Sequence, residues 1–324
     1  MPTLDKYLGK VYLWHYIPSL PAAIVMASLF AIITTAHFWK MWRTRMWFCA
    51  PFAIGGLLEV IGYITRAFAT YNTGSLIPYL LQSIFLLLPP ILFAASLYMV
   101  YSRVVRAVNG DRSSIIAVRW TTWIFVGGDW ACLNIQGGGA GMLSKKDDKQ
   151  VRTGELIIIG GLILQILVFI FFMVVCLIFH ARFRKQEKQT GARSEVPWRS
   201  CLHMLYWTSM LVLVRNVFRV AEYVMGQDGY LFEHEWTTYV FDGAPMLLVM
   251  IGFFIWYPSQ LKRGSRESSD SMVELYANLP RGSGDGYLPR SHQENEKESL
   301  PWIAYVLFPP LLVKLLWPSR KRTN

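Results

Sequence analysis

The chain of 324 residues has four cysteines and six histidines, no Asn-x-Ser/Thr triplet and no Gly-x-x-x-x-Gly-Lys-Ser/Thr loop. Each shortage excludes something. Cys49, Cys132, Cys176 and Cys201 all fall within or at the ends of long apolar stretches, where a thiol is a small apolar filler, so no extracellular disulfide framework is expected. Without a phosphate-binding loop the chain has no site of its own for ATP-driven pumping. A metal-dependent hydrolase inside a membrane needs several histidines and a carboxylate converging at one depth. Here His15, His37, His180, His203, His234 and His292 lie in loops, in the tail or at the ends of apolar stretches. No cofactor and no enzymatic activity are therefore expected. The missing glycosylation triplet leaves sidedness to be argued from charge alone. There is also no basic segment leading into a short cleavable apolar run, so the first apolar stretch is expected to act as its own signal-anchor.

What is present is apolar and clustered. Hydrophobic residues make up 53% of the chain, concentrated in stretches long enough to cross a hydrocarbon core at 1.5 Å rise per residue. Seven can be read: 18–38, 47–70, 76–100, 120–142, 154–179, 201–225 and 237–257. Trp14, Trp39, Trp42, Trp47, Tyr101, Trp120, Trp198, Trp236 and Trp256 flank them as an aromatic belt. The fold expected is all-α, a polytopic membrane protein with a seven-transmembrane-helix bundle.

Orientation follows from Lys and Arg, which cytosolic loops retain. Loops one, three and five carry thirteen: Lys40, Arg43, Arg45, Arg103, Arg106, Arg112, Arg119, Arg182, Arg184, Lys185, Lys188, Arg193 and Arg199. The opposite side carries six: Lys6, Lys10, Lys145, Lys146, Lys149 and Arg152. The N-terminus is thus expected outside and the C-terminus in the cytosol. The formal net charge of +11 is spread over these juxtamembrane loops without a nucleic-acid reading motif, so it signals topology and contact with an anionic leaflet rather than a nucleic-acid partner.

Along the chain this gives an extracytoplasmic segment 1–17, a seven-helix domain 18–258, a disordered cytosolic tail 259–299 rich in Ser, Gly, Glu and Arg, and a hydrophobic segment 300–324 with a basic end. The last is broken by Pro309 and Pro310 and is expected to lie at the interface rather than to span. Pro89 with Pro90, and Pro245 after Gly243, are expected to kink their helices. The run Gly137, Gly138, Gly139 with Gly141 has two readings: close helix packing through small residues, or a broken helix end lining a polar cavity.

Charged side chains inside the hydrocarbon cost about 2.5 to 3.5 kcal/mol each on insertion scales and persist where a partner or a watery cavity receives them. Nine occur at or within the span limits: Glu59, Arg66, Asp129, Glu155, Arg215, Arg219, Glu222, Glu235 and Asp242. Glu59 and Arg66 are seven apart, as are Arg215 and Glu222, and Glu235 and Asp242, so each pair shares a helix face at a two-turn step. With Asn134, Gln136 and Gln165 they are expected to outline an acid-rich cavity open toward the outside. Arg219 is expected to pair with Glu222 on its own helix or with Glu235 across the short connection to the last span. Asp129 and Asp242, mid-span with no basic residue within one turn, are expected to bind a cation or exchange protons.

These residues sit in stretches that resemble the fungal lipid-translocating exporter family, the RTA-like proteins of aminosterol resistance. The stretches are Gly62-Tyr63-Ile64-Thr65-Arg66; the Pro-Pro followed by Ala94-Ala95-Ser96-Leu97-Tyr98; Phe125-Val126-Gly127-Gly128-Asp129 with Gln136-Gly137-Gly138-Gly139; Gly161-Leu162 with Gln165; and Arg215 through Pro245. The resemblance covers roughly residues 20 to 258. It implies a plasma-membrane protein that exports or flips sphingoid bases or other cationic amphiphiles and gives tolerance to them, with membrane lipids or amphiphilic small molecules as its partners. Glu59, Asp129, Gln136, Arg215, Arg219, Glu222, Glu235 and Asp242 are then the substrate-binding or proton-coupling residues. Two other classes share this topology: a seven-helix sensor whose Ser-rich tail meets cytosolic regulators, and a regulator of lipid asymmetry with no transport of its own.

Overall fold

In the computed structural model the described residues are 6–7, 11–12, 16, 18–71, 73–108, 110–143, 148–190, 198–225 and 229–257. The chain divides into two units, Met1–Ser269 and Asp270–Asn324, and every described residue belongs to the first. The expected tail and the segment from residue 300 onward lie outside the described residues.

Two short strands, β1 (Lys6–Tyr7) and β2 (Val11–Tyr12), pair antiparallel ahead of the bundle. The helices are α1 (Leu20–Thr44), α2 (Ala50–Ala69), α3 (Leu76–Leu87), α4 (Pro89–Ala107), α5 (Val118–Leu143), α6 (Asp148–Thr190) and α7 (Trp198–Met225). Then come α8 (Tyr230–Glu233), α9 (Glu235–Thr238), a π-helical turn (Tyr239–Gly243) and α10 (Ala244–Ile255). Six segments are long and apolar enough to cross a membrane: Leu20–Thr44, Trp47–Ala69, Ile77–Ala107, Lys149–Gln189, Trp198–Met225 and Glu235–Ile255. The fourth expected stretch is helical as α5, 26 residues long, but its glycines, threonines, Asp129, Asn134 and Gln136 leave it outside that set.

Neighbouring helices alternate in direction, as named contacts show. Phe30 stacks on Tyr63 while His37 meets Phe52, so α1 and α2 are antiparallel. Tyr98 bonds Asp129 while Ser102 bonds Thr122, which sets α4 against α5. Ser19 meets Glu235 and Lys40 meets Phe254, so the first and last segments run parallel. The end of the bundle holding Arg66 and Glu235 is called upper below, and the end holding Lys40 and Phe254 lower.

At the centre stands α4, buried continuously from Pro89 to Ser102. A helix apolar on all sides is stable only when neighbours cover every face. Around it the outward faces show large apolar side chains such as Leu156, Ile163, Leu167, Phe171 and Leu177 of α6. Such a belt is a liability in water and the normal surface of a bundle in lipid. At 43 residues, α6 is about 64 Å long, twice the thickness of a hydrocarbon core, so it projects beyond the membrane.

The Pro89-Pro90 step does more than kink. It divides the third span into α3 and α4 at Leu88. The glycine run behaves differently from the broken-end reading, because α5 continues through it unbroken. Gly139 lies where a Cβ would stand 2.7 Å from the Gly154 carbonyl of α6, while Gly137, Gly138 and Gly141 face open space. Close packing thus holds at Gly139 alone.

Lower-end polar groups close off the last helix. The His37 Nε2 bonds the Met250 carbonyl at 3.0 Å, and Lys40 Nζ donates to the Phe254 carbonyl at 2.6 Å. The Phe254 carbonyl lies in the last turn of α10, where the Lys40 charge complements the helix dipole.

Candidate functional site

The interior charges form two layers. In the upper one, Arg66 of α2 is 1% exposed, and its Nη2 donates to Glu235 Oε1 and to the Tyr16 hydroxyl, each at 2.9 Å. Its Nε donates to the Tyr239 hydroxyl at 3.1 Å, and that hydroxyl donates to Glu235 Oε1 at 2.9 Å. Both Glu235 oxygens also accept the Ser19 backbone N–H at 2.9 Å. Since α1 has no acidic residue in its first turn and no side-chain cap, Glu235 supplies from the far end of the sequence the anion its N-terminus lacks. One carboxylate thereby joins α1, α2 and the last span.

In the deeper layer, Asp242 stands between two arginines of α7. Arg215 Nε donates to Oδ1 at 2.6 Å and Arg219 Nη2 to Oδ2 at 2.5 Å. Arg219 Nη1 also donates to Glu222 Oε2 at 2.9 Å. Arg215 has a second role. Its Nη2 donates to the Leu86 carbonyl at 2.8 Å, the group an N–H at position 90 would normally take. Pro90 has no N–H, so that carbonyl is left open in the middle of the bundle and the guanidinium fills the vacancy.

Asp242 owes its position to the π turn, in which the Ala244 N–H bonds the Tyr239 carbonyl five residues back. Pro245 follows. A proline ring in a helix clashes with the carbonyl four residues before it, and a widened turn is one way to relieve that clash.

Glu59 lies within electrostatic reach of Asp242, Arg215 and Arg219, yet makes no hydrogen bond or ion pair among the described residues. It is 2% exposed. One turn above it, the Tyr63 hydroxyl is likewise without a hydrogen bond, pressed against Gly243 where a side chain would collide with it. Tyr63 stacks on Phe30 and Tyr239.

Asp129 is elsewhere. It is buried among α4, α5 and α6, where the Tyr98 hydroxyl donates to its Oδ2 at 2.8 Å and Oδ1 has no partner. Two turns up the same face, Gln136 Nε2 donates to Gln165 Oε1 at 2.9 Å. Asn134 bonds back to its own helix at the Trp130 carbonyl and is exposed, and Glu155 is half-exposed, so neither joins the interior network.

Compared with the single acid-rich cavity expected, the structure has a closed network and a separate carboxyl. Of the two alternatives for Arg219 the structure takes Glu222 and adds Asp242 as a second partner, while Glu235 goes to Arg66. Sequence reading overlooked Tyr16, Tyr63, Tyr98, Tyr239 and the Leu86 carbonyl. Two had a readable signal: Tyr63 and Tyr239 stand four residues beyond Glu59 and Glu235, the helix step that brings side chains together. An apolar groove of about 380 Å³ lies between α1 and α2, lined along Ile24, Ala27, Ala31, Val60, Ile64 and Ala67.

A helical bundle with a lipid-facing apolar surface and arginine–carboxylate pairs in its interior is an integral multi-pass membrane protein. The family described as RTA1 like protein matches residues 52–265, and the chain belongs to it. Protoporphyrin uptake protein 1 of Saccharomyces cerevisiae is 32% identical over 281 residues, covering 75% of this chain and 91% of that protein. Protein RTA1 of the same organism is 33% identical over 208 residues, covering 64% and 65%. The Sphingoid long-chain base transporter RSB1, also of that yeast, is 26% identical over 288 residues, covering 78% and 75%. No solved structure matches the chain.

Proposed function

We propose that this protein moves amphipathic molecules with a cationic head and a long apolar body across the plasma membrane. The observation that carries the reading is Glu59. Among the acids of the network Asp242, Glu222 and Glu235 are each held by an arginine, whereas Glu59 has none, so it is the acid free to take an incoming ammonium group after desolvation. Arg215, Arg219, Glu222, Glu235 and Asp242 then shape the field around that head, and Asp129 and Gln136 serve a second polar centre. The groove between α1 and α2 runs along α1 from Leu20 to Ala31, about 16 Å or one leaflet's depth, and along α2 from Val60 to Phe68 and on to Tyr71 in the following turn, with its deep end level with Glu59. It suits the apolar body. The names of the sphingoid base transporter and the porphyrin uptake protein, both relatives, support an amphiphile as cargo.

The test uses the purified full-length chain in liposomes with a fluorescent sphingoid base. Transbilayer movement well above that of empty vesicles is the expected result. Binding without movement would replace the translocator by a sensor.

The same reading takes α5 as a seventh crossing, because it packs against α4 and α6 along its length, from Thr122 to Gly139. An odd number of crossings puts the termini on opposite sides. A tag at the N-terminus should then be reached on intact cells and one after Gln260 only once cells are permeabilised. Both tags on one side would remove the odd count.

A further inference from the structure

Position 129 is the middle of three polar positions spaced seven residues apart on one face of α5. Thr122 meets Ser102 of α4 at 3.1 Å, Asp129 meets Tyr98 of α4 at 2.8 Å, and Gln136 meets Gln165 of α6 at 2.9 Å. Seven residues are two turns, about 10 Å. The three pairs therefore form a ladder through the bundle, with a single ionisable carboxyl at its middle rung and no ion pair at any rung among the described residues. From Asp129 the helix runs about 16 Å to Val118 and about 21 Å to Leu143, so the carboxyl sits near mid-depth, where a site reachable alternately from either side has to be.

We propose that Asp129 is a proton-binding site and that the α5 ladder couples a transmembrane proton gradient to the movement of the amphiphile. This rests on the translocator reading above.

The surroundings support a proton as the ligand. Tyr98 of α4 contacts Asp129, Cys132 of α5 lies within electrostatic reach of it, and Cys176 of α6 lies within electrostatic reach of Tyr98. No described arginine, lysine or histidine pairs with it. Tyr98 is walled by the rings of Phe125, Phe169 and Phe172. A hydrocarbon-like site with no counter-charge favours the neutral acid over the carboxylate. Because Oδ2 accepts the tyrosine proton, the acid proton belongs on Oδ1, the oxygen with no partner. A purely structural link to Tyr98 would need only one acceptor and no ionisable group. Release transfers that one proton to water entering the ladder and leaves the carboxylate with the Tyr98 hydrogen bond. A cationic head arriving in the bundle favours the ionised form, and by reciprocity proton release favours binding of the head.

Two experiments test this on the full-length chain. In liposomes carrying the fluorescent sphingoid base, an imposed pH gradient should speed wild-type movement about fivefold, and Asp129→Asn should lose that acceleration, moving the lipid at one rate with and without the gradient. Acceleration retained in Asp129→Asn overturns the proposal. Basal movement in the wild type with no response to the gradient overturns it too, while leaving the translocator reading intact; no movement at all overturns the translocator reading. Infrared difference spectroscopy then examines Asp129 independently of transport. A protonated-carboxyl band present in the wild type and in Glu59→Gln should vanish in Asp129→Asn, and in Tyr98→Phe it should shift to the position of a carboxyl lacking that hydrogen bond. An unchanged spectrum in Asp129→Asn refutes proton binding at this site.

Discussion

Arg215→Ala is expected to remove most of the folded protein. The side chain holds half of Asp242 and also satisfies the Leu86 carbonyl that Pro90 leaves open. Truncation leaves a buried carboxylate with Arg219 alone, itself shared with Glu222, and a bare carbonyl beside it. Breaking a buried pair from one side costs about 3 to 5 kcal/mol, and an unsatisfied backbone group in a lipid-like interior adds to that. Abundance of monodisperse protein after detergent extraction is the measurement. Two second changes separate the causes: Asp242→Asn on the Arg215→Ala background removes the stranded charge, and Pro90→Ala restores an N–H for Leu86. Each should recover part of the loss. Full abundance of Arg215→Ala alone would show that neither bond holds the bundle. Asp242→Asn by itself should also lower abundance, since it leaves Arg215 with no ion-paired acid and Arg219 with Glu222 alone.

Glu59→Gln should do the reverse. The amide keeps the shape, removes the repulsion from Asp242 together with the attraction to Arg215 and Arg219, and breaks no hydrogen bond or ion pair among the described residues. Abundance should stay within about twofold of wild type. Movement of a cationic amphiphile in liposomes, and tolerance to it in cells, should fall at least tenfold, the consequence of losing about 1.4 kcal/mol of interaction with the head. Unchanged movement at equal abundance would retire Glu59 as the site and move attention to Glu235, whose side chain is 16% exposed at the upper end.

Most of the bundle was legible because crossing a membrane imposes length and apolarity on each segment separately. The break at Pro89-Pro90, the buried acids and arginines, and the stretches shared with the RTA-like proteins are all local facts of the chain. The extension of α6 well past the expected 154–179 was not, since beyond the hydrocarbon a helix no longer has to be apolar. Nor was the low apolarity of α5, whose polar face turns inward onto α4 and α6.

Pairing was decided only in three dimensions. Glu235 and Asp242 are equivalent by spacing, yet one lies against Arg66 and Tyr239 and the other between Arg215 and Arg219. The charge census shows more acids than arginines but not which acid is left over. That depends on the rotation of α2 against α7, on the π turn before Pro245 and on the carbonyl that draws Arg215 toward α3. Spacing along one helix says which side chains share a face. Which opposite charge waits across the interface is set by how neighbouring helices pack, because the Coulomb and hydrogen-bond terms act over a few ångströms between residues far apart in the chain.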